Sequence, residues 1–86
     1  MNDFIENIHK LHTTEMGKVR IQRNLSIDTD DIVLWCKAKI LNESAEIERK
    51  GKNWYVTINH YIFTINAHSY TIITAHKTKN EKRDTI

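Results

Sequence analysis

The feature that most constrains this chain is a change of period. Before residue 45 the apolar residues recur at helical spacing; beyond it they alternate, and three short reversals cut the alternation into four segments. These segments read as strands near 45–50, 53–58, 61–66 and 70–77. Gly51-Lys52 fits a two-residue turn with glycine first. Asn59-His60 fits a second, since asparagine tolerates positive φ, and Asn66 to Ser69 makes a slightly longer one. Turn lengths set register, and register decides which side chains share a face. The rows that follow put Ile47 opposite Val56, Val56 opposite Phe63, and Phe63 opposite Ile72. The flanking rows read Arg49, Trp54, Ile65, Tyr70 and Ala45, Ile58, Tyr61, Thr74, so this face is almost entirely apolar. The opposite face, with Glu48, Tyr55, Thr64, Thr71 and Glu46, Thr57, Ile62, Ile73, is mixed. A one-residue slip would scramble that separation, which argues for a four-stranded antiparallel meander.

An apolar sheet face needs a cover, and the N-terminal half is the available one. Phe4, Ile5, Ile8 and Leu11 predict an amphipathic helix over 2–12. Thr13 or Thr14 offers an N-cap for a second helix over 15–24, with Glu15 in its first turn. Met16, Val19 and Arg23 lie along one side of it, and Gly17 weakens it. Asp28, Thr29 and Asp30 signal a third helix through Ile32, Val33, Trp35, Cys36 and Ile40. Leu34 and Leu41 widen its stripe, so it is expected to be the best buried. The expected fold is α+β: two or three N-terminal helices on one face of the meander, forming one domain over 1–78. A polar tail over 79–86 is expected to fray.

Composition excludes several classes. The lone cysteine, Cys36, rules out an intrachain disulfide framework. Asp3 and Glu6 interrupt the start, so no signal peptide is read, and no apolar run is long enough for a membrane span. A cytoplasmic protein without membrane contact is the expectation. Residues 1–44 carry seven acids against six bases, and residues 45–86 four acids against seven bases. A basic sheet half suits a polyanionic partner, although excesses this small most often mark a solvated surface.

Two stretches carry a resemblance: Leu11-His-Thr-Thr-Glu-Met-Gly-Lys-Val-Arg-Ile-Gln-Arg-Asn-Leu25, and Gly51-Lys-Asn-Trp-Tyr-Val56 followed by Asn66-Ala-His-Ser-Tyr-Thr-Ile-Ile-Thr-Ala-His-Lys77. Together they resemble a small bacterial family known as a domain of unknown function, over nearly the whole chain up to Lys77. More loosely, helices followed by a four-stranded meander are similar to the barnase, EndoU, colicin and RelE group of ribonucleases. That architecture implies RNA cleavage without metal, and it brings no catalytic set to transfer residue by residue.

Cleaving RNA through its own 2′-hydroxyl needs a base, an acid, and donors for the phosphorane. Histidine suits both proton transfers near neutral pH, and arginine or lysine suits phosphate oxygens. His12, Arg20, His68 and His76 are therefore the candidate catalytic residues, with Arg23, Tyr70 and Lys77 as substrate contacts. They converge only if the second helix packs beside the last strand. Each also has a plain structural role: Thr13-Thr14-Glu15 as a helix start, His60 and His68 as exposed turn residues, Arg20 and Arg23 as a solvated face, Thr71 and Thr74 as ordinary strand residues. His60, His68 and His76 are eight apart, without the close ligand pair that zinc sites use, and two glycines leave no phosphate loop, so no metal and no cofactor are expected. The competing reading is a non-catalytic binding module (an antitoxin, an immunity protein or an inhibitor of a nucleic-acid enzyme) using Tyr55, Ile62 and Ile73 on the open sheet face. A homodimer through that face or an edge strand is a third.

Overall fold

The computed structural model describes residues 3–78, so the tail expected over 79–86 lies outside the described residues. In chain order come α1 (Asp3–Glu6), a 3-10 turn (Ile8–Lys10), α2 (Glu15–Leu25), α3 (Ile32–Ile40), β1 (Glu46–Lys50), β2 (Asn53–Ile58), β3 (Tyr61–Asn66) and β4 (Ile72–Lys77). The strands form one antiparallel sheet in the order β1-β2-β3-β4. The expected α+β meander is thus what forms. Gly51 and Asn59 both sit at positive φ, at 60° and 57°, where their turns require it.

The first two hairpins keep the expected register, with Ile47 opposite Val56, Val56 opposite Phe63 and Trp54 opposite Ile65. The third does not. Phe63 pairs with Ala75 and Ile65 with Ile72, with an irregularity between Thr64 and Ile65. Tyr70 causes part of this shift: at φ 60° it belongs to the reversal, so β4 begins at Ile72. The bulge then absorbs one residue, Ile73, and lets Ile72 and Ala75 both turn inward although they differ in parity. Thr74 and His76 consequently face the open side, opposite Thr64 and Ile62.

The helix expected over 2–12 is broken. Leu11 is extended, with ψ 134°, and the next residue joins the sheet. The His12 N–H donates to Tyr70 O at 3.1 Å and the Ile72 N–H to His12 O at 2.7 Å, a parallel bridge between His12 and Thr71. The edge of β4 offers unpaired backbone groups, and satisfying them outweighs another helical turn. Thr13 Oγ1 donates to Ile72 O at 2.8 Å and Asn24 Nδ2 to Ala75 O at 3.2 Å, so the same edge is capped further along by side chains. The opposite edge, β1, carries Glu46, Glu48, Arg49 and Lys50, charges that discourage strand addition.

In α2, Thr14 caps the N-terminus by accepting from the Gly17 N–H at 2.9 Å. Its buried stripe is Gly17, Ile21 and Leu25; Met16 and Val19 are together, as expected, but face outward. Gly17 explains the choice, because a Cβ there would collide with Thr13 Oγ1, the group that holds the β4 edge. α3 is capped by Asp31, which accepts from the Leu34 N–H at 3.0 Å, and it buries Ile32, Cys36 and Ile40. Leu34 and Leu41 are exposed, so its apolar stripe is narrower than expected and buries no more positions than α2. Phe4, Phe63, Ile65 and Ile72 complete the core between helices and sheet. Burial pushes the Cys36 thiol up to about 12.

Gly17→Ala is expected to destabilise the fold by about 1–3 kcal/mol through overpacking against Thr13, read from the urea midpoint. Cys36 should resist thiol reagents until the chain unfolds. Its thiol ionises in the unfolded chain near 9.0 but in the folded one near 12. Stability is therefore expected to fall as pH rises above 9, and Cys36→Ala should abolish that part of the loss.

Candidate functional site

A meander places alternate turns at the same end. The β1–β2 and β3–β4 reversals therefore lie side by side, joined by the Ala67 N–H donating to Lys52 O at 2.9 Å. The strand-like segment at His12 arrives at this end along the edge of β4. Three segments, 8–14, 49–53 and 66–71, meet here. They carry Lys10, Arg49, Lys50 and Lys52 with His9, His12 and His68, and contain no aspartate or glutamate. Their summed field favours an anion.

Side-chain direction follows from strand alternation. Ile72 is buried, so Thr71 points to the open side of the sheet, and His12 goes with it because Leu11 takes the inward position. His12 Nε2 lies 3.1 Å from Thr71 Oγ1, and His12 Nδ1 lies 2.9 Å from Lys10 O. A carbonyl only accepts, so Nδ1 carries the proton and the neutral ring turns its Nε2 lone pair to the Thr71 hydroxyl, an assignment made from the network. The chain continues from Thr71 Oγ1 to Ser69 Oγ at 2.7 Å and from Ser69 Oγ to Asn66 Oδ1 at 3.1 Å. Asn66 Oδ1 also accepts the N–H groups of His68 at 3.0 Å and Ser69 at 2.9 Å, which shapes the turn. The hydroxyls can reverse direction. Neutral His12 accepts from Thr71; charged His12 donates to Thr71, then Thr71 to Ser69 and Ser69 to Asn66. An imidazole fixed on one side by a carbonyl, with its other nitrogen presented to a hydroxyl, is an oriented acid or base.

The other sequence candidates fall in three places. His68 is exposed in the turn at this same end. Tyr70 lies beneath the site: its ring is buried, stacks on Phe4 at 5.9 Å and has Lys10 Nζ 5.7 Å from its centroid, so it supports the loop from inside. His76 and Lys77 sit at the far end of β4, opposite Ile62 and Tyr61. Thr71 lies opposite Asn66 and His76 opposite Ile62, four residues apart along β3, or roughly 13 Å. α2 does run beside β4, but Arg20 and Arg23 line an open groove of about 370 Å³ with Glu15, Met16 and Val19 on its outer side. That groove is on the side of α2 away from its buried stripe of Gly17, Ile21 and Leu25, and His76 is at the far end of the open face; among the described residues no hydrogen bond or ion pair joins Arg20, Arg23 or His76 to His12. The residues missed in sequence are Lys10, Lys52, Asn66, Ser69 and Thr71. The available signal was that the turns at 51–52 and 66–69 must share one end. Among the described residues, no three His, Cys, Asp or Glu side chains are grouped to hold a metal ion, and no helix is long and apolar enough to cross a membrane.

Fold and site together define a small α+β domain with one helix-covered sheet face, one open face, and a histidine–hydroxyl chain at a cationic end. The chain belongs to the family described as "Protein of unknown function (DUF3781)", whose model matches residues 5–76. No curated protein and no solved structure matches it.

Imidazole 15N shifts should report neutral His12 as the Nδ1–H tautomer, set by Lys10 O. Thr71→Val is expected to leave that tautomer in place while removing the Nε2 hydrogen bond; a mixture of tautomers in the parent protein would contradict the assigned network.

Proposed function

We propose that the cationic end binds the phosphodiester backbone of RNA and cleaves it without a metal ion. The observation that carries this reading is His12, held by Lys10 O with Nε2 facing the open side among segments free of acidic residues. His12 Nε2 takes the proton of the 2′-hydroxyl as the Thr71 hydroxyl turns toward Ser69. The 2′-oxygen attacks phosphorus, and the 5′-oxygen departs with a proton from the His68 imidazolium. Lys52 stabilises the charge gathered on the phosphorane. Products are a 2′,3′-cyclic phosphate and a 5′-hydroxyl.

The experiment is incubation of the purified protein with RNA in EDTA. Cleavage is expected, with a bell-shaped pH dependence, and His12→Ala should slow it about 10²–10⁴-fold while leaving binding in place. Arg20→Ala and His76→Ala should leave the rate unchanged. Intact RNA with the parent protein would overturn the cleavage step. An absence of RNA binding as well would overturn the reading altogether, in favour of a protein partner on Tyr55, Ile62 and Ile73.

A further inference from the structure

The helices pack on one sheet face, and the other presents Tyr55, Thr57, Thr64 and Thr74 with no described element across it. Cross-strand pairing orders that face. Asn53 lies opposite Asn66 in the row nearest the cationic end, and Glu48, Tyr55, Thr64 and Thr74 form the next row. The Tyr55 ring is half-buried, and Asn53 Nδ2 donates to its Oη at 3.4 Å. Two strand spacings across and two rows along separate Tyr55 from Thr71, roughly 12 Å. The His12 ring and the Tyr55 ring are on the same side of the sheet.

From this arrangement we infer that the substrate is single-stranded RNA, with one unpaired base stacked on Tyr55 and its backbone running to the cationic end. The inference rests on the RNA reading above and adds the substrate class. A duplex hides the faces of its bases, whereas a single strand can splay one onto an aromatic side chain. The small threonines leave the path flat and offer hydroxyls to ribose. Charge sorts the strand in the same sense. Glu48, directly opposite Tyr55, repels phosphate but accepts from the amino group of a base, while the lysines at 50 and 52 draw the phosphates toward His12. Tyr55 is thus a binding residue remote from the reacting atoms.

The test is fluorescence anisotropy with a short labelled RNA single strand and the same sequence as a duplex, using the full chain. The single strand is expected to bind at least about tenfold more tightly. Tyr55→Ala should weaken that binding roughly 5- to 150-fold, whereas Tyr55→Phe, which keeps the ring and loses only the contact to Asn53, should bind as the parent does. Equal affinity for duplex and single strand, or parent-like binding by Tyr55→Ala, would overturn the inference. If cleavage still depended on His12 in that case, the proposed function would stand without it. Weak binding by Tyr55→Phe as well as Tyr55→Ala would place the effect in the hydroxyl or the local fold and would equally overturn base stacking.

Discussion

The sealing of the β4 edge is the contact on which the rest depends. A four-stranded meander has two free edges, and this chain treats them differently. β1 is left open and charged, whereas β4 is closed by the backbone of His12 and by the side chains of Thr13 and Asn24. That closure breaks the first helix, sets where α2 begins, and seats α2 against β4 through Gly17, Ile21 and Leu25. The same two backbone hydrogen bonds deliver the His12 imidazole to the open face. Architecture and candidate chemistry therefore share one device, and a substitution that disturbs Thr13 or Gly17 acts on both.

A second constraint is the handling of parity in β4. An alternating strand carries alternate side chains to opposite faces, yet Ile72 and Ala75 both belong to the core. The bulge reconciles them and leaves Ile73 exposed. Tyr70, in the left-handed region and stacked on Phe4, holds the preceding loop from beneath. Backbone strain of about 1–3 kcal/mol is typical for such a residue, and it is offset here by burial of the ring. The outcome is a hydrogen-bonded turn in which Asn66, Ser69 and Thr71 line up behind His12.

The chemistry assigned to this end follows from orientation and charge. An exposed histidine on its own means little, but this one has its tautomer dictated by a carbonyl and its second nitrogen placed on a hydroxyl. The surrounding segments supply cations without acids. Of the helical half, the 3-10 turn supplies the Lys10 carbonyl, whereas Arg20 and Arg23 line the outer groove of α2.

Sequence periodicity determined the layers, the order of the strands, the first two registers and the membership of most of the core. These are set locally, by two-residue turns and by alternation, and Gly51 and Asn59 announce their own backbone conformations. The third register, the break in the first helix and the buried stripe of α2 were decided only in three dimensions. Each answers a need that arises after the sheet exists: an edge to be satisfied, a parity to be absorbed, a close approach that Gly17 alone permits. The candidate site divides the same way. His12 and His68 are legible as histidines in loops, but the carbonyl, the hydroxyl chain and the neighbouring lysines come from segments far apart in sequence. They meet because hairpins return the chain to one end of the sheet, and the same geometry carries Arg20, Arg23 and His76 elsewhere.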